Sequence, residues 1–120
     1  MGKIVVKNLR SYAYHGCLEP EKKIGTYYET TISVDGDFSK SEKTDDLNDA
    51  VDYEKLGVIV QEQMKISSNL IEHVVARIIK EIEIQFSDYL LGFIKVKVVK
   101  INPPVKGDVP QVEYIKEKRF

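Results

Sequence analysis

One cysteine, two histidines and no long apolar run set the first limits on this chain of 120 residues. Cys17 alone excludes an internal disulfide and any cysteine-rich metal site. His15 and His73 leave a catalytic zinc short of its usual three protein ligands. No apolar stretch approaches the ~20 residues of a membrane helix. The opening Met1–Lys7 lacks the apolar core and small-residue cleavage site of a secretory signal. Neither sign of charge dominates: 18 Lys+Arg against 19 Asp+Glu give −1, which argues against a general nucleic-acid binder, a class that is strongly basic. Neither Gly-x-Gly-x-x-Gly nor a Walker pattern occurs, so no phosphate-cradling loop is expected. The expectation is a cytoplasmic chain with no nucleic-acid or membrane partner.

What is present is an ordinary globular mixture, 42% apolar and 31% charged, enough for one core and one domain over residues 1–120. The order reads strand, strand, helix, helix, strand, strand. The first strand carries Ile4, Val6 and Leu9, then Tyr12 and Tyr14, and runs into a loop at His15-Gly16-Cys17-Leu18-Glu19-Pro20-Glu21. The second, from Tyr27 to Phe38, alternates Tyr28, Ile32 and Val34 with Glu29, Thr31, Ser33 and Asp35. An acidic stretch from Ser41 to Glu54 reads as a loop entering a helix, whose N-terminus favours negative charge. It lacks the spacing of a calcium loop. Tyr53, Leu56, Val60 and Met64 follow at helical spacing. A second helix opens near Ser67-Ser68-Asn69 and carries a broad apolar stripe from Ile71 to Phe86. Two more strands, Gly92 to Lys100 and about Val109 to Lys118, complete an α+β pattern: a four-stranded antiparallel sheet with two helices on one face. Such a sheet leaves edges open to another chain, a physical reason to expect an oligomer.

Several residues break the pattern. In the third strand Ile94, Val96 and Val98 share a face, and alternation puts Lys100 on that face at the strand's end. A lysine there is partly desolvated and suited to moving protons; the plainer reading is an amine that snorkels past the edge. Glu72 falls three residues after Asn69, which fits a capping box, or a carboxylate gripping paired ligand donors. Tyr53 at a helix start is ordinarily a packing residue with a wet hydroxyl. Glu21, beside Lys22 and Lys23, reads as a solvated charge. His15 is a base or, more commonly, a hydrogen-bonded structural residue. Cys17 has no base beside it in sequence.

Six segments nevertheless stand together: Leu9-Arg10-Ser11-Tyr12-Ala13-Tyr14-His15-Gly16, Glu21-Lys22-Lys23-Ile24-Gly25, Thr44-Asp45-Asp46, Val51-Asp52-Tyr53, Asn69-Leu70-Ile71-Glu72-His73-Val74-Val75-Ala76-Arg77-Ile78, and Lys97-Val98-Val99-Lys100-Ile101-Asn102-Pro103-Pro104. In order, from about Ile4 to Glu113, they resemble the dihydroneopterin aldolases of folate biosynthesis. The resemblance implies the tunnelling fold, in which four sheets join edge to edge into a β-barrel ring and two rings usually stack, giving a tetramer or an octamer. It implies a pterin site between subunits. There dihydroneopterin undergoes retro-aldol cleavage to hydroxymethyl-dihydropterin and glycolaldehyde, with no metal, no cofactor and no lysine Schiff base. By the same resemblance Lys100 is the catalytic lysine, and Glu21 positions it and a water. Tyr53, from the adjacent subunit, helps protonate the enol. Glu72 anchors the pterin's amino group and ring N–H, Ile71 and Val51 bind through their backbones, and Asp52 helps place Tyr53. The segment from Val105 to Glu113 lacks the glycine often found before the last strand, and the Met64–Asn69 connection is short. Two other activities fit this scaffold. One is a dihydroneopterin-triphosphate epimerase, for which Lys22, Lys23 and Lys106 supply part of a basic cluster. The other is a non-catalytic pterin-binding module.

Overall fold

The computed structural model describes residues Met1–Arg119. The alternating runs form one antiparallel sheet, ordered β1-β2-β3-β4 as in the sequence. These are β1 (Gly2–Ala13), β2 (Thr26–Gly36), β3 (Leu90–Ile101) and β4 (Gln111–Arg119). Register places Ile32 between Val6 and Val96, and Val34 between Ile4 and Ile94. One parity of all the inner strands therefore lines a single apolar face. Two helices cover it, here labelled α3 (Tyr53–Met64) and α4 (Ile71–Phe86). Their Leu56, Val60, Val74, Val75, Ile78 and Ile82 are fully buried against Ile32, Val34, Val96 and Val98. Each such side chain is worth roughly 1.5–3 kcal/mol over an exposed one. Burial, rather than intrinsic propensity, holds the β-branched α4 in a helix.

Short helices occupy segments that the sequence presents as loops. α1 (Glu19–Lys23) follows β1, with Pro20 in its first turn. The acidic stretch is not one loop: α2 (Ser39–Thr44) takes in its first residues, Ser41–Thr44, and a 3-10 turn covers Leu47–Asp49. Asp45 ends α2 in the left-handed region, φ 55°, and Asp46 accepts from the Asn48 N–H at 2.9 Å. Short acidic side chains favour such turns because they compete locally for backbone donors. Asp52 caps α3, accepting from the Glu54 N–H at 3.0 Å.

The start of α4 corrects the capping-box expectation. The N-cap is Leu70, not Asn69, and no side chain caps the helix. Asn69 is engaged elsewhere: its Oδ1 accepts from Lys22 Nζ at 2.7 Å and its carbonyl from the Cys17 thiol at 3.6 Å. Arg77 closes the short α3–α4 connection. Its guanidinium donates to the carbonyls of Gln63 and Ile66 and to Ser68 Oγ, at 2.9–3.1 Å. These acceptors lie in and just past the last turn of α3, where a cation is favoured. β1 and β4 are the sheet's outer strands, and among the described residues neither is paired on its outer side.

Candidate active site

β3 delivers Lys100 where the apolar face ends. Ile94, Val96 and Val98 on the same parity are fully buried, and the Lys100 side chain keeps only 11% of its exposure. Its Nζ pairs with the Glu21 carboxylate and donates to the His15 carbonyl at 3.1 Å. Glu21 is not the solvated charge that its neighbours Lys22 and Lys23 suggest. At the third position of α1 it turns back so that its Oε1 accepts from the Leu18 N–H at 3.2 Å, while Oε2 faces Lys100. Burial alone would raise this carboxyl's pKa. Hydrogen bonds from Lys100 and the loop N–H groups, with the lysine's charge, outweigh it and hold the pKa below the ordinary value.

The pair forms part of the wall of a cleft of about 180 Å³, which Pro20, Ile24, Asn102 and Pro104 also line. Two backbone devices shape it. Asn102 ends β3 in the left-handed region, φ 52°, with its N–H held by the Pro110 carbonyl at 2.9 Å. Gly16, at φ 144°, leaves room for Glu21: a Cβ there would lie 2.3 Å from the carboxylate. Gly16→Ala is therefore expected to displace Glu21 from Lys100 and cut turnover at least about tenfold, a fraction of what general acid–base groups contribute. Steady-state rates beside a thermal melt check this; wild-type turnover in a folded variant would contradict it.

His15 is structural in the way its strand-end position suggests. It is 1% exposed, and its Nδ1 accepts from the Ser68 N–H at 3.1 Å. The neutral ring is therefore the form that fits. Burial lowers its pKa to about 4, helped by the Arg77 and Lys100 charges and opposed by the Met64 carbonyl. The unfolded chain takes up this proton near 6.5, so between about 6.5 and 4 it binds more protons than the native chain. Stability is complete above that window and falls as pH drops through it, by on the order of 2–3 kcal/mol. Melting temperature measured across the window checks this. A profile flat from 7 down to about 4 would contradict it.

The other expected site residues lie outside this cleft. Ile71 is half-buried and Glu72 exposed in the first turn of α4. That end of α4 is tied to the same loop as Glu21: the Gly16 N–H donates to the Ser68 carbonyl at 2.9 Å, and Lys22 reaches Asn69. Val51 is buried just before α3, whereas Tyr53 at its start is 69% exposed. The basic cluster is largely spent: Lys22 serves Asn69 and Lys23 pairs with Glu19 at 2.8 Å. Among the described residues, no group of three or more His, Cys, Asp or Glu side chains is disposed to hold a metal ion, and no helix is long and apolar enough to cross a membrane.

The model of the family described as dihydroneopterin aldolase matches residues 4–116. The chain belongs to the dihydroneopterin aldolase family. A dihydroneopterin aldolase of Staphylococcus epidermidis is 32% identical over 120 residues, covering 95% of each chain. One of Bacillus subtilis is 26% identical over 117 residues, covering 93% of this chain and 92% of its own. The fold matches too. The E. coli dihydroneopterin aldolase, solved in complex with neopterin, superposes with a TM-score of 0.87 at 19% identity, covering 98% of this chain and 99% of that one. This chain is accordingly an enzyme, a carbon–carbon lyase.

Sequence reading passed over Thr26 and Tyr28 as site residues. Thr26 Oγ1 donates to the Ile101 carbonyl at 2.8 Å at the cleft's edge. The fully buried Tyr28 donates its hydroxyl to the His15 carbonyl at 3.0 Å. Alternation marks Tyr28 as an inward strand residue and Thr26 falls just before the run read as a strand; only the folded chain shows that their hydroxyls reach the His15 and Ile101 carbonyls.

Proposed function

We propose that this chain cleaves dihydroneopterin to hydroxymethyl-dihydropterin and glycolaldehyde, with Lys100 and Glu21 as the proton-handling pair. The observation that carries the reading is that pair itself: a half-buried lysine held by a carboxylate and a carbonyl at the wall of an open cleft. The O–H bond of the substrate's side-chain hydroxyl breaks, its proton passing through water to Lys100 as the free amine, which forms once the ammonium paired with Glu21 has given a proton to solvent. Its electrons form the aldehyde C=O as the neighbouring C–C bond breaks, and the pterin ring accepts the released pair as an enol. Tyr53 then delivers a proton to the enol carbon, and the proton taken up by Lys100 returns through water to restore both groups. One molecule divides into two, with no oxidant, reductant or metal required.

Glu72 takes the pterin's amino group and ring N–H, two adjacent donors that match a carboxylate's two oxygens. Ile71 and Val51 add backbone contacts. Tyr53 is exposed and outside the Lys100 cleft, which suits a residue that serves a neighbouring subunit's site. The unpaired outer sides of β1 and β4 are where such neighbours would join. The same reading makes the protein a cytoplasmic homo-oligomer, a ring of four or two such rings stacked into an octamer, with residues 1–120 of each chain as one domain.

Engagement of Lys22 with Asn69 and of Lys23 with Glu19 weighs against a triphosphate substrate. Dihydroneopterin and its triphosphate supplied separately distinguish the two activities. The expected kcat/KM favours the unphosphorylated compound by at least about tenfold, the value of one lost charge-assisted contact. A preference for the triphosphate with epimerisation as the main reaction would replace the aldolase reading.

A further inference from the structure

The His15 carbonyl accepts twice. Lys100 Nζ donates to it at 3.1 Å, and the Tyr28 hydroxyl at 3.0 Å. Tyr28 and Lys100 are direct cross-strand partners on β2 and β3, and the ammonium lies 6.0 Å from the Tyr28 ring centroid. Tyr28 has no exposure at all. A buried phenol without an acceptor is costly, so its hydroxyl has a strong reason to stay on this one oxygen. The oxygen is thereby fixed in place, on a loop whose other ties to the α3–α4 connection run through the Tyr14 carbonyl, the His15 ring, the Gly16 N–H and the Cys17 thiol. We propose that Tyr28 is a positioning residue for Lys100, fixing the His15 carbonyl that, with Glu21, aims the lysine into the cleft.

The rest of the site agrees with that role. Burial raises the Tyr28 hydroxyl pKa to about 12, against the His15 hydrogen bond and with help from the Glu21 charge. The phenol therefore stays a donor throughout neutral pH and is not itself a proton carrier. The ring edge also packs on the His15 imidazole, with centroids 5.2 Å apart, so it braces the same residue from two sides. Glu21 steers Lys100 from α1 and the His15 carbonyl steers it from the end of β1. Losing the Tyr28 hydroxyl loosens the second support and leaves the first intact.

This inference rests on Lys100 carrying the chemistry, and a double-mutant cycle separates the two claims. Tyr28→Phe keeps the ring and removes only the hydroxyl. With rates normalised to the folded fraction by circular dichroism, kcat is expected to fall about five- to twentyfold while KM stays within about twofold. In the Lys100→Ala background, the same substitution is expected to change the residual rate by less than about twofold, because nothing remains to position. An unchanged kcat in Tyr28→Phe would overturn the proposal. So would an equal loss in both backgrounds, which would make Tyr28 a packing residue only. Wild-type turnover in Lys100→Ala alone would instead overturn the role of Lys100.

Discussion

Lys100→Ala is expected to fold, to melt within a few degrees of the unaltered chain, and to lose about 10²–10⁴-fold in turnover, the range of a positioned general acid–base group. The fold tolerates the change for reasons visible around the side chain. Lys100 sits at the end of β3, beyond the packed row of Ile94, Val96 and Val98. After truncation Glu21 keeps its hydrogen bond from the Leu18 N–H and the His15 carbonyl keeps that from Tyr28. Glu21 Oε2 does lose its Lys100 partner, but the carboxylate lines an open cleft that water can enter, so the stability loss stays near the ~1 kcal/mol typical of a single substitution. Binding of a pterin is expected to survive, because Glu72 stands on a different element. Tight binding with almost no turnover is the signature of lost chemistry; wild-type turnover would leave a pterin-binding role for the site and no function for the Lys100–Glu21 pair.

Glu72→Ala is expected to do the reverse, raising the pterin KM or Kd by roughly 10²-fold, about 3 kcal/mol for a pair of charge-assisted hydrogen bonds, with little effect on folding. From sequence alone Glu72 has two rival roles, helix cap and ligand anchor. The structure takes away the first. Leu70 is the N-cap, Asn69 is bound to Lys22, and among the described residues the Glu72 side chain has no hydrogen-bond or salt-bridge partner. An exposed carboxylate in the first turn of α4 gains only a few tenths of a kcal/mol to about 1 from the helix dipole. Calorimetric titration with a pterin beside a chemical melt checks both halves. A variant that unfolds, yet binds normally in its folded fraction, would restore the cap.

Which parts were readable in advance follows from how far each relationship extends along the chain. Alternation is local, so the strands and the inward face of Lys100 came directly from residue spacing. The apolar stripe of α4 is local in the same sense. Pairing of Lys100 with Glu21 spans 79 positions and depends on where α1 folds back. Spacing carries no trace of it, and only the resemblance to a family placed the two together. α1 and α2 run to 5 and 6 residues, too short for a hydrophobic period to register. Asn69 misled because N-capping is the commonest use of asparagine before a helix. Its amide was claimed instead by Lys22, 47 positions away. Tyr28 was legible as core and illegible as a donor, since its partner is a backbone oxygen that no side-chain pattern reports.

The most direct test of the whole account is a product assay on the purified protein, treated with chelator and given dihydroneopterin. The account predicts hydroxymethyl-dihydropterin and glycolaldehyde appearing together in equal amounts, at a rate the chelator does not change and that Lys100→Ala abolishes. Substrate that is bound or epimerised but never cleaved, or cleavage that stops with the chelator and returns with added metal, would contradict it.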